Sequence, residues 1–320
     1  MQAELNKVNL DMAAAASQDI AYTPASQVAD QAPAASGTGP RGQRIHYFHQ
    51  PGQVLMFFDP ADGSTMRKHF SQGDNLPKFA RTFWTDHGRL FLFGGKVGNT
   101  VTKNTLEYSG EEMKFLTRAD MNYPRSDITV VYVPHLDRIY VLGGNDNRRF
   151  YEECEYYEPA ADKWTEIAKM RVGRDSGAAA LLNGQYIYAF SGRNKFSPKT
   201  IVDVVERYDI NANTWEDVNV TDNGNWVKND LSLAWQFGHN QICVFGGVAN
   251  GSRTEKCYLF DTQTNSWKDS ASMTDVGSYS VVPEMANNKI YILGWTNSGK
   301  KMFVWDSREN TWTVDSRFSL

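Results

Sequence analysis

From Arg44 to Leu320 the chain alternates short apolar runs with polar turns, and no stretch sustains helical periodicity. The runs fall into a repeating set of four predicted strands, a to d. Strand a is small and apolar, as at 128–133 (ITVVYV) and 177–182 (GAAALL). A tight polar turn follows, such as Asn183-Gly184 or Asn287-Asn288, and Asn-Gly between apolar runs is a strong hairpin signal. Strand b ends in a glycine pair at 91–95 (FLFGG), 140–144 (YVLGG) and 243–247 (CVFGG), with weaker copies at 188–192 (YAFSG) and 291–295 (YILGW). Strand c closes on an acidic residue, as at 205–209 (VERYD), and strand d is headed by tryptophan.

The period is set by that acid and tryptophan, always six residues apart: Glu158/Trp164, Asp209/Trp215, Asp261/Trp267 and Asp306/Trp312. Two degenerate copies precede them, Ser109 with Phe115 and Asp59 with Thr65, so the acid position recurs at spacings of 50, 49, 51, 52 and 45. Repetition at this length marks one supersecondary unit copied around a ring or along an array. A lone four-stranded antiparallel sheet cannot bury both faces, so the units must stack on one another. Glycine at the end of strand b lets backbones approach closely, and the aromatic residues fill the wedge that widens outward between sheets.

The glycine pair, the spaced tyrosine and tryptophan, and Met-x-x-x-Arg between units (Met121 to Arg125, Met170 to Arg174) resemble the kelch repeat. The resemblance covers roughly 275 residues, nearly everything after the first 43. It implies an all-β fold, a kelch-type β-propeller of four-stranded blades. Six blades are expected, with five as the alternative. The first copy starts late: 45–49 serves as its strand b and 54–58 follows, but no strand a stands nearby. Closure by 315–320 or by part of 20–36 is open at this point.

Residues 1–43 read as a separate tail, extended or partly helical over 3–18, with Pro24, Pro33, Pro40 and Tyr22 as its one aromatic residue. Too apolar-poor to fold alone, it is expected to dock on another subunit, leaving 44–320 as the propeller. A net charge of −4 gives no footing for nucleic acid. No apolar run is long enough for a membrane span or a signal core. Three cysteines, Cys154, Cys243 and Cys257, offer neither a metal spacing nor an even disulfide set, which places the chain in a reducing, cytoplasmic setting.

Catalytic chemistry is thin. His87, His135 and His239 fall at one point of three different units and so cannot converge on a metal, and no cofactor is expected. No nucleophile elbow or nucleotide fingerprint occurs. The recurring acid is read as a strand-end hydrogen-bond acceptor. Cys243 and Cys257, on strands b and c of one unit, read as buried small side chains, with a redox pair as the lesser reading. The best acidic candidates for an enzyme are Asp127, Asp175 and Asp230, near the starts of strand a. Ordinary turn roles are the favoured reading for them.

The loops carry more. Antiparallel blades send b–c and d–a loops to one face, and these are long and varied: 96–105, 145–153, 193–203, 248–255 and 296–300. One unit is longer still, at 193–203 and 218–230, stretches that hold Lys195, Phe196, Lys199, Trp226 and Lys228. Arg125, Arg148, Arg149, Arg174, Arg193 and Arg253 gather on the same face, with Asn145 beside them. Guanidinium forks suit carboxylates. Related propellers use loop arginines to hold acidic peptides, whereas the resemblance gives Arg125 and Arg174 an inter-blade role as well. The expectation is a non-enzymatic scaffold presenting these loops to a protein partner, within a cytoskeletal or other stable assembly. The alternatives are a sugar isomerase or hydrolase working at the propeller mouth, and the substrate-recognition subunit of a ubiquitin ligase whose adaptor is another chain.

Overall fold

The computed structural model describes residues 45–49, 54–70, 76–85, 88–221, 229, 231–249, 251–274, 283–286, 289–296 and 299–318. The chain divides into two units, 1–38 and 39–320, and every described residue lies in the second. The tail assigned to 1–43, Trp226, Lys228 and Asp230 therefore lie outside the described residues.

Five antiparallel sheets have four strands each, in the order a-b-c-d. Blade 1 comprises Arg81–Trp84, Leu90–Phe93, Thr105–Ser109 and Lys114–Arg118. Blade 2 comprises Thr129–Val133, Arg138–Leu142, Cys154–Glu158 and Lys163–Ile167. Blade 3 comprises Ala178–Leu182, Tyr186–Phe190, Val205–Asp209 and Thr214–Val218. Blade 4 comprises Leu233–Phe237, Gln241–Phe245, Cys257–Asp261 and Ser266–Asp269. Blade 5 comprises Glu284–Ala286, Lys289–Thr296, Gly299–Asp306 and Thr311–Val314. The fold is a β-propeller with five complete blades, the alternative count.

The expectation of six four-stranded blades is corrected at the first copy. It forms a closing sheet of three strands, Ile45–His49, Val54–Phe58 and Thr65–His69. These are the equivalents of b, c and d, and no strand a joins them among the described residues. The last residues do not supply it. Asp315 N–H donates to Met302 O (2.9 Å) and Phe318 N–H to Asp315 O (3.2 Å), so the chain turns across the end of its own blade.

Core clusters join each sheet to the next. Phe91, Phe93 and Ile139 bind blades 1 and 2. Tyr140 and Tyr208 bind blades 2 and 3, Phe190 and Trp267 blades 3 and 4, and Phe245 and Trp312 blades 4 and 5. The ring closes through the three-stranded sheet. Leu55 packs with Leu92 of blade 1, and Phe58 packs with Tyr291 of blade 5 and with Phe318.

The repeated residues explain the stacking. Trp164 lies edge-on to Phe93 of the preceding blade (5.4 Å, 87°), and Trp267 and Trp312 stand likewise against Phe190 and Phe245. The aspartates at this position cap their own c–d turns: Asp209 Oδ1 accepts from Asn211 and Ala212 N–H, and Asp261 Oδ1 from Gln263 and Thr264 N–H, whereas Glu158 pairs Arg138. The first glycine of the pair is forced by crowding. A Cβ on Gly94 would stand 2.1 Å from Arg125 O, and one on Gly143 2.2 Å from Arg174 O. Each therefore permits the next residue's N–H to bond that carbonyl, Gly95 to Arg125 O and Gly144 to Arg174 O.

Candidate interaction site

The site is built where strands a begin. Two residues before strand a, blades 1 to 4 carry Phe79, Asp127, Ser176 and Leu231, all left-handed, with φ of 58°, 55°, 53° and 57°. Such a φ is costly for side chains with a Cβ. The kink turns each backbone toward its neighbour. Asp127 N–H donates to Phe79 O (3.5 Å), Ser176 N–H to Asp127 O (2.8 Å) and Leu231 N–H to Ser176 O (2.8 Å). The result is a hydrogen-bonded belt at the mouth from which the b–c loops rise. Three of these loops are ordered as small hairpins: Lys96–Val97 with Thr100–Val101, Arg193–Phe196 with Lys199–Ile201, and Val248–Ala249 with Ser252–Arg253.

Four of the residues expected on this face do other work. Arg125 is fully buried. Its Nη1 donates to Gly143 O and Glu153 O (2.9 and 2.8 Å), and its Nη2 pairs Glu155 (2.6 Å). Arg174 repeats this one blade on, pairing Glu206 and bonding Ser191 O and Val204 O, and burial pulls its guanidinium pKa down. The expectation that these two meet a partner is corrected, because both are sealed between sheets as inter-blade clamps. Asn145 is also buried, and its Nδ2 donates to Asp175 Oδ2 (2.6 Å) and Asp127 Oδ2 (3.2 Å). Arg193 forks onto Asp175 (2.7 and 3.0 Å), which neutralises it at the belt. Asn145 and Arg193 thus shape the rim rather than reach beyond it.

Asp127 and Asp175 converge, as an enzyme would need, but onto Asn145 and with the Asp175 carboxylate wholly covered. Burial raises the Asp175 pKa against the opposing pull of Arg193. The arrangement is an internal polar joint and not an open pocket. Among the described residues no group of three or more His, Cys, Asp and Glu is placed to hold a metal. The three cysteines are free and buried, and burial pushes the Cys154 and Cys257 thiols up to about 12. That deprives them of thiolate character.

What remains exposed is an aromatic and cationic surface that crosses three blades. Phe79 is 57% exposed despite its bulk and its left-handed backbone. Lys96 Nζ lies 5.5 Å from the Phe79 ring centroid and donates to Asn147 Oδ1 of blade 2 (2.7 Å). Phe150 of blade 2 packs at a tilt against Phe196 of blade 3, 46% exposed, at 4.3 Å between centroids. Arg148 and Lys195 flank them in solvent, and Arg149 lies over Tyr151 (4.2 Å) while pairing Glu153. Arg253 stands exposed on the blade 4 hairpin. Phe79 escaped the sequence reading, and Lys96, Asn147 and Phe150 entered it only as members of the 96–105 and 145–153 loops. The one available signal was an aromatic residue two positions before strand a, where blades 2 to 4 carry Asp127, Ser176 and Leu231.

Fold and face together define a β-propeller whose b–c loops gather on one face. Residues 124–171 and 176–219, which span blades 2 and 3, match the Kelch motif family. The chain is 28% identical over 190 residues to Spermatocyte protein spe-26 of Caenorhabditis elegans, covering 57% of this chain and 31% of that protein. It is 28% identical over 233 residues to Beta-scruin of Limulus polyphemus (68% and 24%) and 24% identical over 181 residues to Kelch-like protein 23 of Mus musculus (55% and 30%). The matches therefore span less than a third of each relative. The chain is a kelch-repeat protein.

Proposed function

We propose that the chain is a non-enzymatic interaction scaffold that holds a protein partner on its b–c and d–a loop face, in the cytoplasm and within a cytoskeletal or similarly stable assembly. The observation that carries this is the surface run from exposed Phe79 through half-buried Lys96 and Phe150 to exposed Phe196. An exposed phenylalanine in a left-handed conformation is held at a cost in free energy, and such outliers cluster at binding surfaces. Aromatic anchors ringed by cations are the usual composition of a hot spot. Arg148, Lys195 and Arg253 suit carboxylates on the partner, so an acidic segment is the favoured ligand. The cytoskeletal setting rests on the kelch resemblance and on likeness to Beta-scruin. Likeness to Kelch-like protein 23 keeps the ubiquitin-ligase receptor as a second reading, with the adaptor on another chain. The tail 1–43 serves as a second attachment to the assembly.

A photo-crosslinker placed at Phe196 should capture a discrete partner, whereas the same group at Val314, on the outer strand of blade 5, should not. Phe79→Ala with Phe196→Ala should weaken that partner's binding by at least tenfold, since hot-spot aromatics cost about 2 kcal/mol or more when truncated. Capture only from the outer strand, with the double variant binding normally, would replace face recognition by edge scaffolding.

A further inference from the structure

We infer that Met113 is a redox-sensitive latch: its oxidation to the sulfoxide by a peroxide fastens blade 1 to the closing sheet through Lys68. The site belongs to the c–d turn face and is separate from the loop face. Two residues before the tryptophan position, blades 2 to 5 carry Asp162, Asn213, Asn265 and Asn310, all left-handed. Three of them send a side-chain oxygen to the preceding blade. Asp162 Oδ1 accepts from Ala119 N–H (2.8 Å), Asn213 Oδ1 from Ala168 N–H (2.9 Å) and Asn310 Oδ1 from the Ser270 hydroxyl (3.0 Å). Aspartate and asparagine visit the left-handed region more readily than other side chains with a Cβ, so these turns obtain an oxygen acceptor at little strain.

Blade 1 keeps the conformation and changes the chemistry. Its residue at this position is Met113, with φ of 54°, a costly geometry for an unbranched apolar side chain. The side chain still reaches the preceding sheet: Lys68 Nζ stands 4.0 Å from Met113 Sδ. Lys68 lies three residues after Thr65 as Ser270 lies three after Trp267, so this contact takes the place of the Asn310 bond. A thioether is a weak acceptor, whereas a sulfoxide presents a polar oxygen that an ammonium can pair. Oxidation would thus supply the oxygen that the other turns carry from the start. The sulfur is also accessible. Met113 is 51% exposed, while Met56, Met121, Met170, Met273 and Met302 are buried. Met66 is exposed too but stands within a strand, opposite Phe57, and not at the latch position. In the step itself, a sulfur lone pair attacks one oxygen of hydrogen peroxide, the O–O bond breaks and an S–O bond forms. Sulfur gives up two electrons. The departing hydroxide takes the proton from the transferred oxygen and leaves as water. Methionine sulfoxide reductases, one for each sulfur epimer, reverse the change.

Dilute hydrogen peroxide on the full chain, followed by peptide mass spectrometry and thermal melting, tests this. Met113 should take up oxygen about tenfold faster than Met56 or Met121, as exposure dictates. In a Met66→Leu background, oxidation of Met113 should raise Tm by about 2 °C, and the reductases should return it. Lys68→Ala should oxidise at Met113 without that gain. Met113→Asn carries the oxygen permanently, so it should melt above the untreated parent and ignore peroxide. Should Lys68→Ala not fold, Met113→Leu, which cannot be oxidised, should abolish the response. Oxidation of Met113 no faster than that of the buried methionines overturns the proposal. So does an unchanged or lower Tm after oxidation, or a gain that survives in Lys68→Ala or Met113→Leu.

Discussion

The seam between blades 2 and 3 and the seam that closes the ring share one backbone plan and differ in filling. In both, a strand c aromatic residue lies against a strand b tyrosine of the preceding blade: Tyr208 on Tyr140 at 6.1 Å, and Phe58 on Tyr291 at 6.5 Å. In the first, Trp215 and Asn213 then lock the outer half to Ala168. In the second, Thr65 and Gly63 leave that half open, and closure falls to Phe58 with Phe318 (5.6 Å, 83°) and to Arg317. The difference teaches that where the repeat is incomplete, side chains from beyond it, Phe318 and Arg317, take over the closure of the seam. Sheet register is what the repeat conserves between copies of this chain. The side chain at a register position is free to change once its neighbour finds another partner.

The largest expected effect breaks this comparison directly. Trp267 is fully buried between blades 3 and 4. Replacing it with alanine should cost about 3–5 kcal/mol, because the wedge cannot collapse around a missing indole. Thr65→Ala, at the equivalent position of the open seam, should change stability by no more than about 0.5 kcal/mol. Urea unfolding of the two variants beside the parent measures both. Equal costs would mean that Thr65 is as deeply engaged as Trp267, and the contrast between seams would fail.

The ring was legible in the sequence because its determinants are local and periodic. Aspartate at the acid position caps its own turn, the glycine pair ends its own strand, and tryptophan heads its own strand d. The late start of the first copy was legible for the same reason. The count was less so, because three strands at 45–69 carry the same marks as four. The recognition face was read only in part. Loop length and charge pointed to Arg148, Lys195, Phe196 and Arg253, yet equally to Asn145 and Arg193, which the structure spends on Asp175. Whether an arginine is clamped in the rim or exposed depends on which carboxylate the neighbouring blade brings to it. Phe79 meeting Lys96, and Phe150 meeting Phe196, join residues 17 and 46 positions apart, two of them across a blade boundary. No periodicity encodes such a meeting.

A smaller effect separates the mouth from the turn face by pH. Burial raises the pKa of Asp175 in the folded chain. A carboxyl that holds its proton more tightly when folded contributes most to stability below its unfolded pKa, about 3.9, and loses that contribution as pH rises through the folded value. On the turn face, the Ala212 and Asn211 N–H groups hold the pKa of Asp209 below its ordinary value. Its contribution is present above about 3.9 and is lost as pH falls through the lower folded value. Asp175→Asn removes the charge but keeps an acceptor for Arg193, so the variant should gain stability relative to the parent as pH rises above about 4. Asp209→Asn should instead flatten the loss of stability below about pH 4, and by less, because Asp209 is exposed to solvent screening. Urea midpoints across that range for both variants decide it. Parallel curves for Asp175→Asn and the parent would show that the Arg193 fork already compensates burial, and the polar joint at the mouth would then be no costlier than a surface turn.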